Sequence, residues 1–476
     1  MSEIPETAVE LRDALRAGDL SAREATEHFL TRIEDHRELG AFISVTGEQA
    51  LAEARAADKR FAVTPRDGRR ALPPLHGMPI AHKDLTDIAG VPTTQGSAAF
   101  SREPAAGDSP GVAVLRAAGT ISLGKTQVPE LGLTGYSENL IAPPARNPID
   151  PARTAGGSSG GSAAAVRAGL LPVAPGSDGG GSIRIPAFAC GLVGLKPGLG
   201  AIPADVTRGL VDDFGAPRLS VSGPLARSVA DAAMLFDAMR GPGPGAVPGS
   251  EPSVAAVERA DELRGIQIGM STASPFEPAH PTPLSPEARR AFETAATLLE
   301  SRAHRVEQAE IHYDPRYPQA FTHAWTAGLS LLKLTPEATS KLTPLTRLFR
   351  ERALARSRAD HLEAATQLRE FAADAREHWG RYNVILTPGL AMLPPKIGAF
   401  TSLSPDDDYV LQCEWAPYTS MVNVSGLPAI AVPILTLPSG HSFGVQLIGR
   451  AGSETRLLQL AAQLTADVAA SEAGYA

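Results

Sequence analysis

The chain has 476 residues, with 44 Lys and Arg against 52 Asp and Glu, for a formal net charge of −8 at pH 7. That balance disfavours a nucleic-acid surface, which needs clustered positive charge to neutralise phosphates. Hydrophobic residues at 43% and charged ones at 20% supply a large core and exclude intrinsic disorder. Cys190 and Cys413 are too few for a disulfide framework, and no Cys/His spacing resembles a zinc site. Met1 to Thr7 lacks a basic stretch followed by an apolar one, and no run of about 18 apolar residues occurs, so a reducing, cytoplasmic setting without a membrane span is expected.

In chain order, Ser21 with Glu24 and Thr46 with Gln49 have the spacing of capping boxes, which predicts helices through the first sixty residues. Leu30 and Ile33 then share one face. Short apolar runs alternate with helical stretches at Pro79 to His82, Val112 to Ala118, Ile121 to Leu123, Ser162 to Ala168 and Leu170 to Ala174, the pattern of an α/β sheet protein. The Pro/Gly-rich stretch 241–252 reads as a surface loop. Gly265 to Met270 predicts a strand, and Ser285-Pro286 opens a helix in cap-then-proline order. Residues 316–380 read as mostly helical, with the charged stretch Arg347 to Arg358 as a solvated face. Asn383 to Leu386, Ala429 to Ile434 and Phe443 to Ile448 predict further strands before a closing helix from Ser453 to about Ala469.

Three patterns compete for the chemistry. Gly119 followed after four residues by Gly124-Lys125-Thr126 matches a phosphate-binding loop, but helix precedes it, Ile121-Ser122-Leu123 is strand-like and Pro129 stops any helix behind it. Gly156-Gly157-Ser158-Ser159-Gly160 matches the Gly-x-Ser-x-Gly nucleophile elbow, yet two prolines and several polar residues before it make a poor strand. The elbow reading would make the chain an α/β-hydrolase-like esterase using Ser158. The third pattern is wider. It joins Lys83 within Gly77 to Asp84, the Gly/Ser run 156–162, and Gly176-Ser177-Asp178-Gly179-Gly180-Gly181-Ser182-Ile183-Arg184-Ile185-Pro186.

With these segments in that order, the sequence resembles the amidase signature family from about residue 10 to about residue 470, almost continuously from Gly156 to Pro197. Thr93 to Ser97, Gly124-Lys125-Thr126, Gly223 to Ser228, Asn423 to Pro428 and Gly444 to Gly449 also match family segments. The resemblance implies a single large α/β/α domain over 1–476 around a central mixed sheet, with a signature core of about 70–235 and a helical, pocket-covering region of about 316–380. It implies a Ser-cisSer-Lys triad, carried onto Ser182 as nucleophile, Ser158 as relay and Lys83 as base, with neither metal nor organic cofactor. Backbone N–H groups of Gly179, Gly180, Gly181 and Ser182 are expected to form the oxyanion hole, and Ser159, Asp178 and Arg184 to support the loops.

The chemistry asks for these types independently. A serine hydroxyl needs a base to take its proton, and lysine serves only when neutral, so its surroundings must pull its pKa down from about 10.4. Glycines let backbone N–H groups converge on a developing oxyanion. Cys190, among apolar neighbours, reads as core, and His82 as packing or positioning.

Gly179 stands where the family usually has Thr, and Gly198-Leu199 where it usually has Thr-Tyr. The glutaminase subunit of the tRNA-dependent amidotransferase usually carries Arg-Gln-Pro after its nucleophile, whereas this chain has Arg184-Ile185-Pro186. A stand-alone amidase acting on a small amide is therefore expected, with a homodimer left open and no nucleic-acid or membrane partner. An amidotransferase subunit or an amine-accepting acyltransferase is the alternative. Thr207 to Arg218, Phe321 to Leu332 and Asp406 to Tyr418 are the segments expected to set selectivity, with Asp406-Asp407-Asp408 as a solvated acidic loop.

Overall fold

Eight strands form one mixed sheet in a computed structural model that describes residues 4–241 and 252–474. Across the sheet the order is Arg305–Gln308, Gln267–Met270, Val384–Pro388, Ser442–Gly449, Ala429–Thr436, Val193–Lys196, Val221–Ala226 and Val173–Asp178. The first three run parallel and every later pairing is antiparallel. Strands such as Val193–Lys196 and Val384–Pro388 are buried at every residue. Strands covered on both faces read as continuous apolar runs without alternation, and here helices flank the sheet. The last helix, Glu454–Gly474, contributes Leu457, Leu458, Leu460, Ala461 and Leu464 to the main core. Among the described residues no helix is long and apolar enough to cross a membrane.

A smaller sheet carries the lysine. Ile121–Thr126 lies between Phe42–Val45, which runs antiparallel to it, and Pro79–Lys83, which runs parallel. Phe42–Val45 interrupts the helical reading of the first sixty residues. The box at Ser21 and Glu24 forms as expected, with each side chain bonded to the other's backbone. The one at Thr46 does not, although a helix follows at Gly47–Val63: Thr46 Oγ1 donates instead to the Ser122 carbonyl of the neighbouring strand. Tertiary pairing has taken the hydroxyl that local spacing assigns to the helix.

Strands Val193–Lys196, Val221–Ala226 and Arg305–Gln308 add to those expected from sequence, while most of the expected 241–252 loop lies outside the described residues. The region 316–380 is helical, at Tyr317–Ala327, Pro336–Ser340, Pro344–Ala355 and Arg358–Trp379. Its charged stretch is not a purely solvated face. Arg350 donates to the Leu332 carbonyl, Arg356 to the His323 carbonyl and Thr326, and Arg352 pairs with Asp406 at 2.6 Å. The acidic triplet is likewise no loop but the first turn of a helix, Pro405–Trp415, where carboxylates complement the unpaired N–H groups. Asp408 turns inward and accepts from Tyr136 Oη at 2.6 Å.

Candidate active site

Lys83 ends the strand Pro79–Lys83, all five residues of which are buried, so its amine is delivered into the interior with 3% exposure. Nζ lies 2.7 Å from Ser158 Oγ, 3.0 Å from Ser177 Oγ and 3.1 Å from the Ser177 carbonyl. No carboxylate touches it; burial therefore pulls its pKa down to about 7, with the more distant Asp178 acting weakly the other way. Beside it, burial and the Lys125 charge hold His82 neutral, with its pKa down at about 3.

Ser158 lies between a two-stranded ribbon, Arg146–Asn147 with Asp150–Thr154, and the helix Gly160–Arg167. The sequence reads the residues before Ser158 as a poor strand. They do form one, a partly exposed strand of a separate two-stranded sheet outside the central one, so it is not the buried strand an elbow needs. The Gly157–Ser158 peptide is cis. A side chain at Gly157 would meet the Tyr136 backbone at 2.7 Å, which is why only glycine lets the loop pass there. Ser158 is 2% exposed, and next to it Ser159 ties the two serine loops together. Its N–H donates to the Ser182 carbonyl at 3.1 Å and its hydroxyl to the Ser177 carbonyl at 3.2 Å.

Ser182 follows the edge strand Val173–Asp178 and precedes the helix Arg184–Cys190. Its loop is built around Asp178, whose carboxylate accepts from the N–H groups of Gly181 at 2.7 Å and Ile183 at 3.1 Å. Arg184 clamps the same carboxylate, at 2.8 Å and 2.9 Å, with both side chains fully buried. Burial alone would raise the Asp178 pKa; the guanidinium overrides it and holds the carboxyl well below its ordinary range. Arg184 also donates to Gln446 Oε1, Asn423 Oδ1 and the Thr419 carbonyl. Gly181 itself has φ +132°, and a Cβ there would strike Thr419 Oγ1 at 2.4 Å.

An open cleft of about 510 Å³ leads to Ser182, walled by Leu133, Ile185, Phe276, Phe321 and Trp325. Segments expected to shape selectivity therefore supply Phe321, Trp325, Tyr409, Gln412 and Cys413, while Thr207 to Arg218 does not line it. Leu133, Gly135 and Phe276 were not anticipated and no local pattern marks them, because each reaches the site through tertiary packing; Ser177 lies within the run 176–186 but was given no role.

Other candidates fall elsewhere. Gly124-Lys125-Thr126 is strand, and Lys125 pairs with Asp84 at 2.8 Å. Burial pushes the Cys190 thiol up to about 12 among core residues. Among the described residues no three His, Cys, Asp or Glu side chains cluster as metal ligands would.

A family model described as Amidase matches residues 24–458. The "Putative amidase AmiB2" of Mycobacterium tuberculosis is 40% identical over 457 residues, covering 94% of this chain and 93% of that protein. Among solved structures, 6-aminohexanoate cyclic dimer hydrolase matches with a TM-score of 0.82 at 28% identity over 98% of both chains. The native peptide amidase from Stenotrophomonas maltophilia gives 0.78 at 25% identity over 97% of both. Fold and comparisons together define an amidohydrolase of mixed α/β architecture. The chain belongs to the amidase family, in its amidase signature branch.

Proposed function

We propose that this protein hydrolyses a carboxylic amide through a serine acyl-enzyme, with Ser182 as nucleophile, Ser158 as proton relay and Lys83 as base. The observation that carries the reading is the buried Lys83 Nζ 2.7 Å from Ser158 Oγ, free of any touching carboxylate, behind a serine that faces an open cleft. Neutral Lys83 accepts the Ser158 proton while Ser158 takes that of Ser182, whose oxygen attacks the amide carbon. The proton returns through Ser158 to the amine nitrogen as the C–N bond breaks. Water then attacks the ester by the same relay and releases the acid. The Gly181 N–H, one of four oxyanion donors expected from sequence, is engaged by Asp178, so the proposal rests on the N–H groups of Gly179, Gly180 and Ser182.

Mass spectrometry after treatment with a serine-directed fluorophosphonate tests the assignment. Labelling of Ser182 in the wild type and none in Lys83→Ala is expected. Labelling of Ser158 would replace the triad with the elbow reading, and unchanged labelling in Lys83→Ala would remove the lysine from it. Supplying an amine acceptor separates hydrolysis from acyl transfer: on this reading the acid remains the main product.

A further inference from the structure

We propose that the cleft selects amides whose acyl group is an uncharged planar ring, with Trp325 and Phe321 as the recognising wall and Gly179 as the position that admits it. The assignment of the acyl side rests on the triad reading above: Ser158 protonates the departing nitrogen, so the nitrogen faces Ser158. The cleft is lined by Ser182 and Gly180 but by neither Ser158 nor Lys83, which leaves it for the other substituent of the carbonyl.

The chemistry of the lining is unusually restricted. No Asp, Glu, Lys, Arg or His lines the cleft among the described residues. Five of its polar side chains are already engaged by the protein. Gln412 accepts from the Gly135 N–H and donates to Asp408; Tyr409 Oη pairs with Thr322; Ser420 Oγ pairs with Tyr317. Thr419 Oγ1 donates to the Gly180 carbonyl and Thr134 Oγ1 to the Tyr136 carbonyl. Burial raises the Cys413 thiol to about 12, so it stays neutral. A charged acyl group would lose its water there and meet no counter-ion, a cost that excludes it.

The apolar wall is aromatic and oriented. Tyr317, Phe321 and Trp325 recur every four residues along Tyr317–Ala327 and stack in sequence, at 5.5 Å and 15° and then at 5.9 Å and 12°. The ladder rests directly on the nucleophile's loop. A Cβ on Gly179 would lie 3.0 Å from the Trp325 ring, and one on Gly180 would lie 3.7 Å from Phe321 Cζ. A side chain at 179 would press on the indole and require it to give by a few tenths of an ångström. The missing side chain and the indole are thus one feature: a flat surface beside the reacting carbonyl, against which a ring can stack.

The test compares benzamide, 4-carboxybenzamide, acetamide and glutamine as substrates. Benzamide is expected to exceed 4-carboxybenzamide and glutamine in kcat/KM by about 100-fold or more, because the buried charge finds no partner. Trp325→Ala is expected to cost benzamide roughly tenfold more than acetamide, chiefly in KM, and Trp325→Phe to restore most of the loss. Parity of benzamide with 4-carboxybenzamide, or an equal loss for benzamide and acetamide in Trp325→Ala, overturns the inference. Calorimetric titration of benzamide into Ser182→Ala separates this inference from the catalytic reading. Saturable binding that weakens about tenfold when Trp325→Ala is added, and is largely kept with Trp325→Phe, supports the wall even if the wild type hydrolyses no amide. Absence of benzamide binding refutes the wall even if aliphatic amides turn over.

Discussion

Two buried lysines sit on adjacent strands one register step apart, His82 opposite Lys125 and Lys83 opposite Thr126, yet they face opposite environments. Lys125 Nζ lies 2.8 Å from Asp84 Oδ1, both side chains fully buried, and also donates to Thr93. Lys83 meets only hydroxyls and a carbonyl. Both amines have given up water. Lys125 is compensated by an opposite charge, whereas burial brings the Lys83 pKa down to about 7, which is what the proposed base requires. Lys196 shows that a low pKa is not sufficient. Burial and the Arg184 charge bring it to about 7 as well, but its Nζ bonds the Pro197 carbonyl where that of Lys83 bonds serine hydroxyls.

Substitutions can break or sharpen this contrast. Removing the proposed nucleophile or base should have the largest effect. Ser182→Ala and Lys83→Met should each lower kcat/KM by roughly 10⁴-fold or more, and Ser158→Ala by roughly 10²- to 10⁴-fold, measured against a turned-over amide. Stability should move the other way round. Asp84→Asn strands Lys125 as an unpaired buried charge and should cost about 3–5 kcal/mol in denaturant unfolding, while Lys83→Met, which removes an uncompensated amine, should unfold no earlier than the wild type. Equal destabilisation by the two would erase the distinction.

The pH dependence follows with its sign fixed. On the proposed mechanism Lys83 acts as a neutral amine, so kcat/KM should fall as pH drops through about 7 and level off above it. Its folded pKa lies below its unfolded value of about 10.4, so the unfolded chain binds more protons between these limits and stability rises with pH across that window. Lys83→Met lacks that share, and its difference from wild type isolates Lys83 from Lys196. The smallest effect belongs to Ser177→Ala. Loss of the hydroxyl that stabilises the ammonium should shift the kcat/KM profile to lower pH and change the plateau by about three- to tenfold. A profile identical to wild type would show that Ser177 does not touch the base's equilibrium.

Much of the site's chain was readable because its chemistry is written in contiguous loops. Lys83 follows the apolar run Pro79 to His82 that reads as a strand, the run 156–162 leads into the helical stretch from Ser162, and strands with unbroken apolar runs such as Ala429–Thr436 read as clearly. Legibility failed where long-range pairing outbid local preference. Thr46 gave its hydroxyl to Ser122, Asp408 went to Tyr136, and Phe42–Val45 found a partner at Ile121–Thr126 some eighty residues away. Ser177 could have been suspected only from its place one residue before Asp178. Leu133 and Phe276 carry no local mark, since their role exists only once the helices at 317–327 and 405–415 have closed over Ser182.

The Arg184 clamp carries a consequence for how the molecule comes into being. Its guanidinium is wholly interior and takes three of its acceptors from Thr419, Asn423 and Gln446, which lie 235, 239 and 262 residues further along the chain. During synthesis the nucleophile's loop therefore leaves the ribosome long before the groups that will fix it. Until the segment from Thr419 to Gln446 has packed, a buried Arg184 would have Asp178 alone to accept from it, an arrangement too costly to persist. On the proposed mechanism, hydrolytic competence should therefore come late, once the segment from Thr419 to Gln446 has packed against the loop of Ser182.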